Sequence, residues 1–312
     1  MNQTFSAGQV ICRPAIERDR EEIGEFCKTI WDGHDYVPEV MDDWLQDSQG
    51  IFAVAEYQGR AIACSKITLL AEGQWWLEGF RVDPKYQGLK VGSLIHQYVD
   101  EWWLEKGDGL LRLMTSSKNK SVHHLCERTH FNKLYEVRGY KAQPLSGRTH
   151  VFTSAASSAQ DLPPVVAFAR SSPSLGITNH IVDFGWRAVD PTQAGALEFL
   201  FADLPGFAKN FFWWRNDKGL LIVWDDFDPE EGKYTMGIGV IACKLEDMSV
   251  LLMDVRCLAA EQGKTSVLWL APVHVQVETA LKQAGFSSDW DNTAYIFEKI
   301  HPQLSKQYEP PS

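Results

Sequence analysis

Between residues 81 and 95 the chain reads RVDPKYQGLKVGSLI, with WWLEGF before it and IHQYVDEWWLEKG after it. The first flank alternates as a strand does, and the second carries apolar residues at helical spacing as far as Gly107. A strand that passes through a glycine turn into a helix, with another strand at LLRLMTSS beyond it, is a crossover unit. Such a unit commits the chain to an α/β architecture, a mixed sheet covered by helices. Successive amides at the turn, with the dipole of the helix they open, make an anion site that glycine lets a phosphate approach closely. The competing reading is a turn needed only for packing.

Elements on either side extend the pattern. QVICRPA reads as a strand, Ile16 to Ile30 as a helix, and the segment after Pro38 as a second short helix. Gln58-Gly59 divides a hairpin, SVHHLCERTHF is a helix and LYEVRGYKA a closing strand. Residues 1–143 thus form one domain. Ser, Ala and Pro dominate 144–179, which reads as a linker with a short helix around VVAFAR. Strand DFGWRAVD, helix QAGALEFLFA, strands NFFWWR, LLIVWDDF and TMGIGVIAC, and a helix ended by Gly263 then repeat the first order. SVLWLA, VQVETALKQAGF and AYIFEKI finish it. The expectation is an internal duplication with its second copy at 180–302 and a disordered tail at 303–312.

A net charge of -11 argues against general nucleic-acid binding and suits a cationic substrate or simple solubility. The six cysteines include no C-x-x-C pair, a pattern of reduced thiols and a cytoplasmic location. No apolar run is long enough to span a bilayer, and the N-terminus lacks signal-peptide blocks, so no membrane partner is expected.

The stretch VDPKYQGLKVGSLI resembles the acetyl-CoA pyrophosphate loop of the GNAT superfamily of N-acetyltransferases, whose signature is Gln/Arg-x-x-Gly-x-Gly/Ala. Gln87 and Gly92 fit, and Lys90 stands at the middle glycine position. From an ordinary φ, Lys90 still offers its backbone N–H and adds charge toward phosphate. The segment from Asn119 to Phe131 is similar to the family's N-x-x-x-x-x-L-Y-E-x-x-G-F, with Cys126 at the tyrosine and His130 at the glycine. The resemblance implies two tandem acyl-CoA N-acyltransferase-like domains, with acetyl-CoA as acyl donor. It assigns Phe80, Val82, Gln87, Gly88, Lys90, Val91, Gly92, Ser93 and Asn119 to cofactor binding. GHDYVPEVMDDWLQD and LEGFRVDP also resemble the histidine N-acetyltransferase branch, which implies an amino acid or similar small amine as acceptor.

Glu78 alternates onto the face of Phe80 and Val82 and is placed to act as general base; the bland alternative is an ion pair with Arg81 or Arg112. Cys126 reads as packing, then as the acid toward the leaving thiolate, then as a nucleophile. His34, Asp35 and Tyr36, in a turn also supplied with Trp31 and Asp32, are candidate contacts to the amine. Asp42 and Asp43 read as helix N-terminal charges. His123, Cys126 and His130 share a helical face, but no fourth ligand is apparent and no metal is expected. In the second copy the glycine turn is missing after TMGIGVIAC, and His274 and Leu281 stand at the asparagine and tyrosine positions. It is expected to support the first copy structurally, as an internal pseudo-dimer within a monomer or a homodimer. Two functions remain open: an N-acetyltransferase, or a non-catalytic acyl-CoA-binding pseudoenzyme or scaffold.

Overall fold

The computed structural model describes residues 5–30, 33–147, 151–156, 159–193, 196, 209–228 and 232–305. It divides into two units. The first takes residues up to Leu113, Ser121–Asn132 and those from Glu298 on; the second takes Met114–Lys120 and Lys133–Phe297.

In the first unit the chain runs β1 (Ile11–Pro14), α1 (Arg20–Cys27), α2 (Val37–Gln46), β2 (Ile51–Tyr57), β3 (Arg60–Ala71) and β4 (Gln74–Val82). It continues through α3 (Val91–Lys106), β5 (Leu110–Ser116) and α4 (Lys120–Arg128). The strands lie in the order β1-β2-β3-β4-β5, antiparallel except for the parallel pair β4–β5. Gln58 and Gly59 take φ of 52° and 81°, the left-handed pair that matches the twist of a two-residue hairpin. Along α3 the buried residues Val91, Ile95, Val99 and Trp103 recur every fourth position and lie against β2 and β3. On the other face, Ile23 and Phe26 of α1 and Val37, Met41 and Trp44 of α2 close over Phe52, Val54 and Cys64.

The second unit comprises β6 (Asn132–Ala142), β7 (Phe152–Ala156), α5 (Leu162–Ser171), α6 (Pro173–Gly176), β8 (Val182–Asp183) and β9 (Ala188–Val189). Then come β10 (Lys209–Trp214), β11 (Gly219–Asp228), β12 (Lys233–Cys243), α7 (Met248–Glu261), β13 (Ser266–Pro272), α8 (Val275–Gln283) and β14 (Ala294–Ile300). The order β7-β10-β11-β12-β13-β6 has one parallel pair, β12–β13, as the first unit has β4–β5. Stretch 144–179 carries β7, α5 and α6, with VVAFAR inside α5. DFGWRAVD, expected as one strand, is instead a small hairpin of β8 and β9, because Gly185 and Trp186 turn left-handed at φ 61° and 68°. Most of QAGALEFLFA lies outside the described residues, as do Trp31, Asp32 and residues 306–312.

The last residues of β14 belong to the first unit, where β14 neighbours β5. Buried Arg112 donates from Nε to Glu298 at 2.7 Å and from Nη1 to Gln74 at 2.8 Å, and Lys299 reaches Asp100 at 2.5 Å. Buried charges are tolerated only when paired in this way, so the two ion pairs specify where the strand ends.

Candidate active site

A one-residue slip in the ladder shapes the first unit's site. Cys64 faces Arg81 and Lys66 faces Glu78, so two steps on β3 oppose three on β4. The extra residue is a β-bulge at Gly79, whose φ of +62° admits glycine without strain. A side chain there would also meet Trp44 at 2.5 Å. An isolated glycine in a strand pattern is the sequence signal for such a bulge.

The bulge resets the alternation. Phe80 and Val82 point to the α3 side, where Gly92 sits so close that a Cβ on it would lie 3.3 Å from Phe80 and 3.6 Å from Val82. Glu78 and Arg81 share the opposite face with Cys64, Lys66 and Thr68. The expectation that Glu78 shares a face with Phe80 and Val82 is therefore corrected. Glu78 is half-buried and accepts a hydrogen bond from Thr68 Oγ1 at 2.6 Å.

Pairing of β4 with β5 stops at Trp76–Arg112. Beyond that pair β4 runs on to Val82, past its register with β5. At the end of β4, Asp83 accepts the amide of Lys85 at 2.9 Å and starts a short 3-10 turn, Pro84–Tyr86. Gly88 at φ +75° and Lys90 at φ +68° then bracket Leu89. Lys90 is the N-cap of α3 and provides no side-chain cap, so the amides of Val91, Gly92 and Ser93 have no acceptor within the helix. Gln87, Gly88 and Lys90 are exposed around them.

Lys90 does not have the ordinary φ expected of it. It keeps the left-handed backbone of the glycine it replaces, at a cost of about 1–2 kcal/mol for an L-residue. His130 does the same at the other substituted glycine, with φ +64°. There the Phe131 amide reaches back to the Cys126 carbonyl at 2.9 Å and closes the end of α4.

Other expected residues fall elsewhere. Asp35 is buried and held by Arg81, with Nε–Oδ2 at 2.6 Å and Nη2–Oδ1 at 3.0 Å, and it also accepts the Val37 amide at 3.2 Å. It is a structural carboxylate rather than a free contact for an amine. Tyr36 lies under the Arg81 guanidinium at 5.4 Å from its ring centre, and His34 is exposed. Cys126 has no exposed surface, and burial pushes its thiol up to about 12. A thiol so placed is sealed from solvent and packs in the interior, which speaks against contact with substrate. Asn119 lies in the second unit's short segment before α4 and donates to Thr115 Oγ1 at 3.2 Å.

One buried residue had no sequence signal beyond its helical position. His96 packs edge-on against Phe80 at 6.2 Å, with Nε2 at 3.0 Å from Thr129 Oγ1. Burial pushes its imidazole down to about 4, with the Asp100 charge opposing the shift and the Lys299 charge adding to it.

The second unit repeats the plan without the loop. Its β12 has a bulge at Gly239, between the pairs Ile222–Val240 and Val223–Ile238. The end of α8 repeats the α4 closure, with Gly285 at φ +77° and the Phe286 amide on the Leu281 carbonyl at 2.9 Å. Between β12 and α7, however, only Lys244 to Asp247 intervene, where Asp83 to Lys90 stand in the first unit. His274 caps α8 through Nδ1 and the Gln276 amide, and Leu281 is buried.

The bulged β4, the uncapped α3 and the parallel neighbour define an acyl-CoA N-acyltransferase fold, present twice. Residues 18–131 match the Acetyltransferase (GNAT) family model. A tandem GNAT protein from the clavulanic acid biosynthesis pathway superposes with a TM-score of 0.59 at 9% identity, over 97% of this chain and all of that one. A GCN5-related N-acetyltransferase from Sphaerobacter thermophilus gives 0.57 at 14%, over 95% and 96%. Histidine N-acetyltransferase of Oreochromis niloticus is 32% identical over 88 residues, 28% of this chain and 26% of its own length. A human protein, Probable N-acetyltransferase 16, is 31% identical over 88 residues, 28% of this chain and 24% of its own. The chain thus spans about a quarter of the length of these curated relatives. Among the described residues no helix is long and apolar enough to cross a membrane.

Proposed function

We propose that the chain is an acetyl-CoA-dependent N-acetyltransferase that acetylates the amine of a small molecule or amino acid by direct transfer in a ternary complex. The uncapped start of α3, with Gly92 packed close against Phe80 and Val82 of β4, carries this reading. The amides of Val91, Gly92 and Ser93 would hold the pyrophosphate with the help of the helix dipole, and Lys90 would add charge. Gly92 supports the fit, because a side chain there would fill the space beside Phe80 and Val82. The edge of β4 near Phe80 and Val82 would pair with the pantetheine arm, and a backbone amide there would polarise the acetyl carbonyl. Bound acetyl-CoA supplies an activated thioester.

The bulge gives the proposal its geometry. The nucleotide side of the site lies with α3, whereas Glu78 lies on the face of α1 and α2. An amine reaching the thioester from that second face meets Glu78, which takes its proton directly or through water as the new C–N bond forms. Thr68 holds the Glu78 carboxylate in one orientation. His34 and Tyr36, on the same side, are the remaining candidates for acceptor contacts. The proton removed by Glu78 returns to the leaving sulfur through solvent, so no acid is required at Cys126. Resemblance to histidine N-acetyltransferases makes histidine the first acceptor to try. The second unit, lacking the loop, serves a structural role.

The test is calorimetric titration of the protein with acetyl-CoA, with Gly92→Trp as control. Saturable binding that the variant loses supports the cradle and opens a screen of amines. No binding to the wild type would favour the non-catalytic alternative.

A further inference from the structure

We propose that the second unit carries a binding site for a small primary ammonium ion, anchored by Asp183 in the opening between β12 and β13. Parallel pairing of these strands ends at Ile238–Trp269. Beyond that point they part, and a pocket with about 30 Å³ of free interior is walled by Gly239, Ile241, Trp269, Tyr135 and Asp183. Such a space takes a body of about two or three heavy atoms.

The fold's usual acyl-CoA has no room there. Ser174 donates its hydroxyl to the Ile241 carbonyl at 2.8 Å and accepts the Cys243 amide at 3.0 Å, so the edge of β12 is already engaged by the chain itself. What is left is small and mostly apolar, and among the described residues Asp183 is the one acid that lines it. Asp183 is 8% exposed. Its Oδ1 receives a long 3.4 Å bond from the Trp186 amide, and its Oδ2 has no hydrogen-bond partner among the described residues. A buried carboxylate without a partner is costly, and burial pushes this one up to about 7. An ammonium group supplies both the missing donor and the opposite charge, and the Trp269 and Tyr135 rings that line the space suit a cation. A calcium or magnesium ion would need several more oxygen ligands than this wall offers. The inference is independent of the acetyltransferase reading.

The test is thermal unfolding of the full chain at pH 8 with increasing ethylammonium chloride, against sodium chloride at equal ionic strength. A saturable rise in Tm is expected, with Kd on the order of millimolar for so small a ligand. Tetramethylammonium, too large for the space, should give no such rise. Asp183→Asn keeps the size and the Trp186 contact while removing the charge, so it should fold with at least the wild-type Tm and lose the response more than tenfold. Leu270→Phe, which narrows the pocket and spares Asp183, should weaken the response as well. Equal responses to ethylammonium and sodium, or an undiminished response in Asp183→Asn, would overturn the site.

Discussion

Arg81 grips Asp35 through two hydrogen bonds, at 2.6 and 3.0 Å, and so ties β4 to the turn that opens α2. Both side chains are largely withdrawn from water, and removal of one partner strands the other charge. Asp35→Ala should therefore cost about 3–5 kcal/mol in denaturant unfolding. A variant that kept full stability and lost only affinity for the acceptor would return Asp35 to substrate binding.

Lys90 offers the opposite case. Lys90→Gly relieves a left-handed backbone at the start of α3, and part of the gain is offset by the freedom of glycine in the unfolded chain. Stability should rise by about 0.5–1 kcal/mol, while acetyl-CoA affinity changes less than tenfold. A larger loss of affinity would show that the ammonium, rather than the backbone, carries the contact. His130→Gly should be stabilising for the same reason.

The bulge can be tested through Gly79. Its replacement by Ala combines a left-handed alanine with a collision against Trp44, together about 2–4 kcal/mol of destabilisation. Trp44→Phe in that background should recover part of the loss, a coupling that a double-mutant cycle measures.

If Glu78 is the base, Glu78→Gln should lower kcat by about 10²–10⁴-fold and leave calorimetric acetyl-CoA affinity unchanged. An unchanged kcat would remove the assignment and leave proton transfer to solvent.

His96 predicts a pH dependence. Its folded value, near 4, lies below the ordinary 6.5, so below pH 6.5 the unfolded chain binds a proton that the native protein does not. Stability from this residue is present above about 6.5 and is lost as pH falls toward 4, on the order of 3 kcal/mol in full. Asp183 runs the other way. Its carboxyl is raised to about 7, so its contribution is present at acid pH and fades as pH rises from about 4 to 7. The two partly cancel in the wild type, and the difference between wild type and His96→Asn isolates the first.

Local chemistry was legible in the sequence. The hairpin at Gln58-Gly59, the glycine turn before α3 and the helix stop at Gly107 follow from turn residues and periodicity over a few positions, which act before any partner is chosen. So does the repeated element order, seen in the bulges at Gly79 and Gly239 and the matching ends of α4 and α8. Only the tertiary structure decided the rest. Whether Glu78 faces Phe80 or Arg81 depends on a register slip against β3, and one added residue reverses every side chain beyond it. That Asp35 belongs to Arg81, that Cys126 is sealed, and that the end of β14 joins the first unit through Glu298 and Lys299 are partnerships between distant residues. Propensity and spacing do not encode such choices; they are made when burial forces each polar group to find a partner.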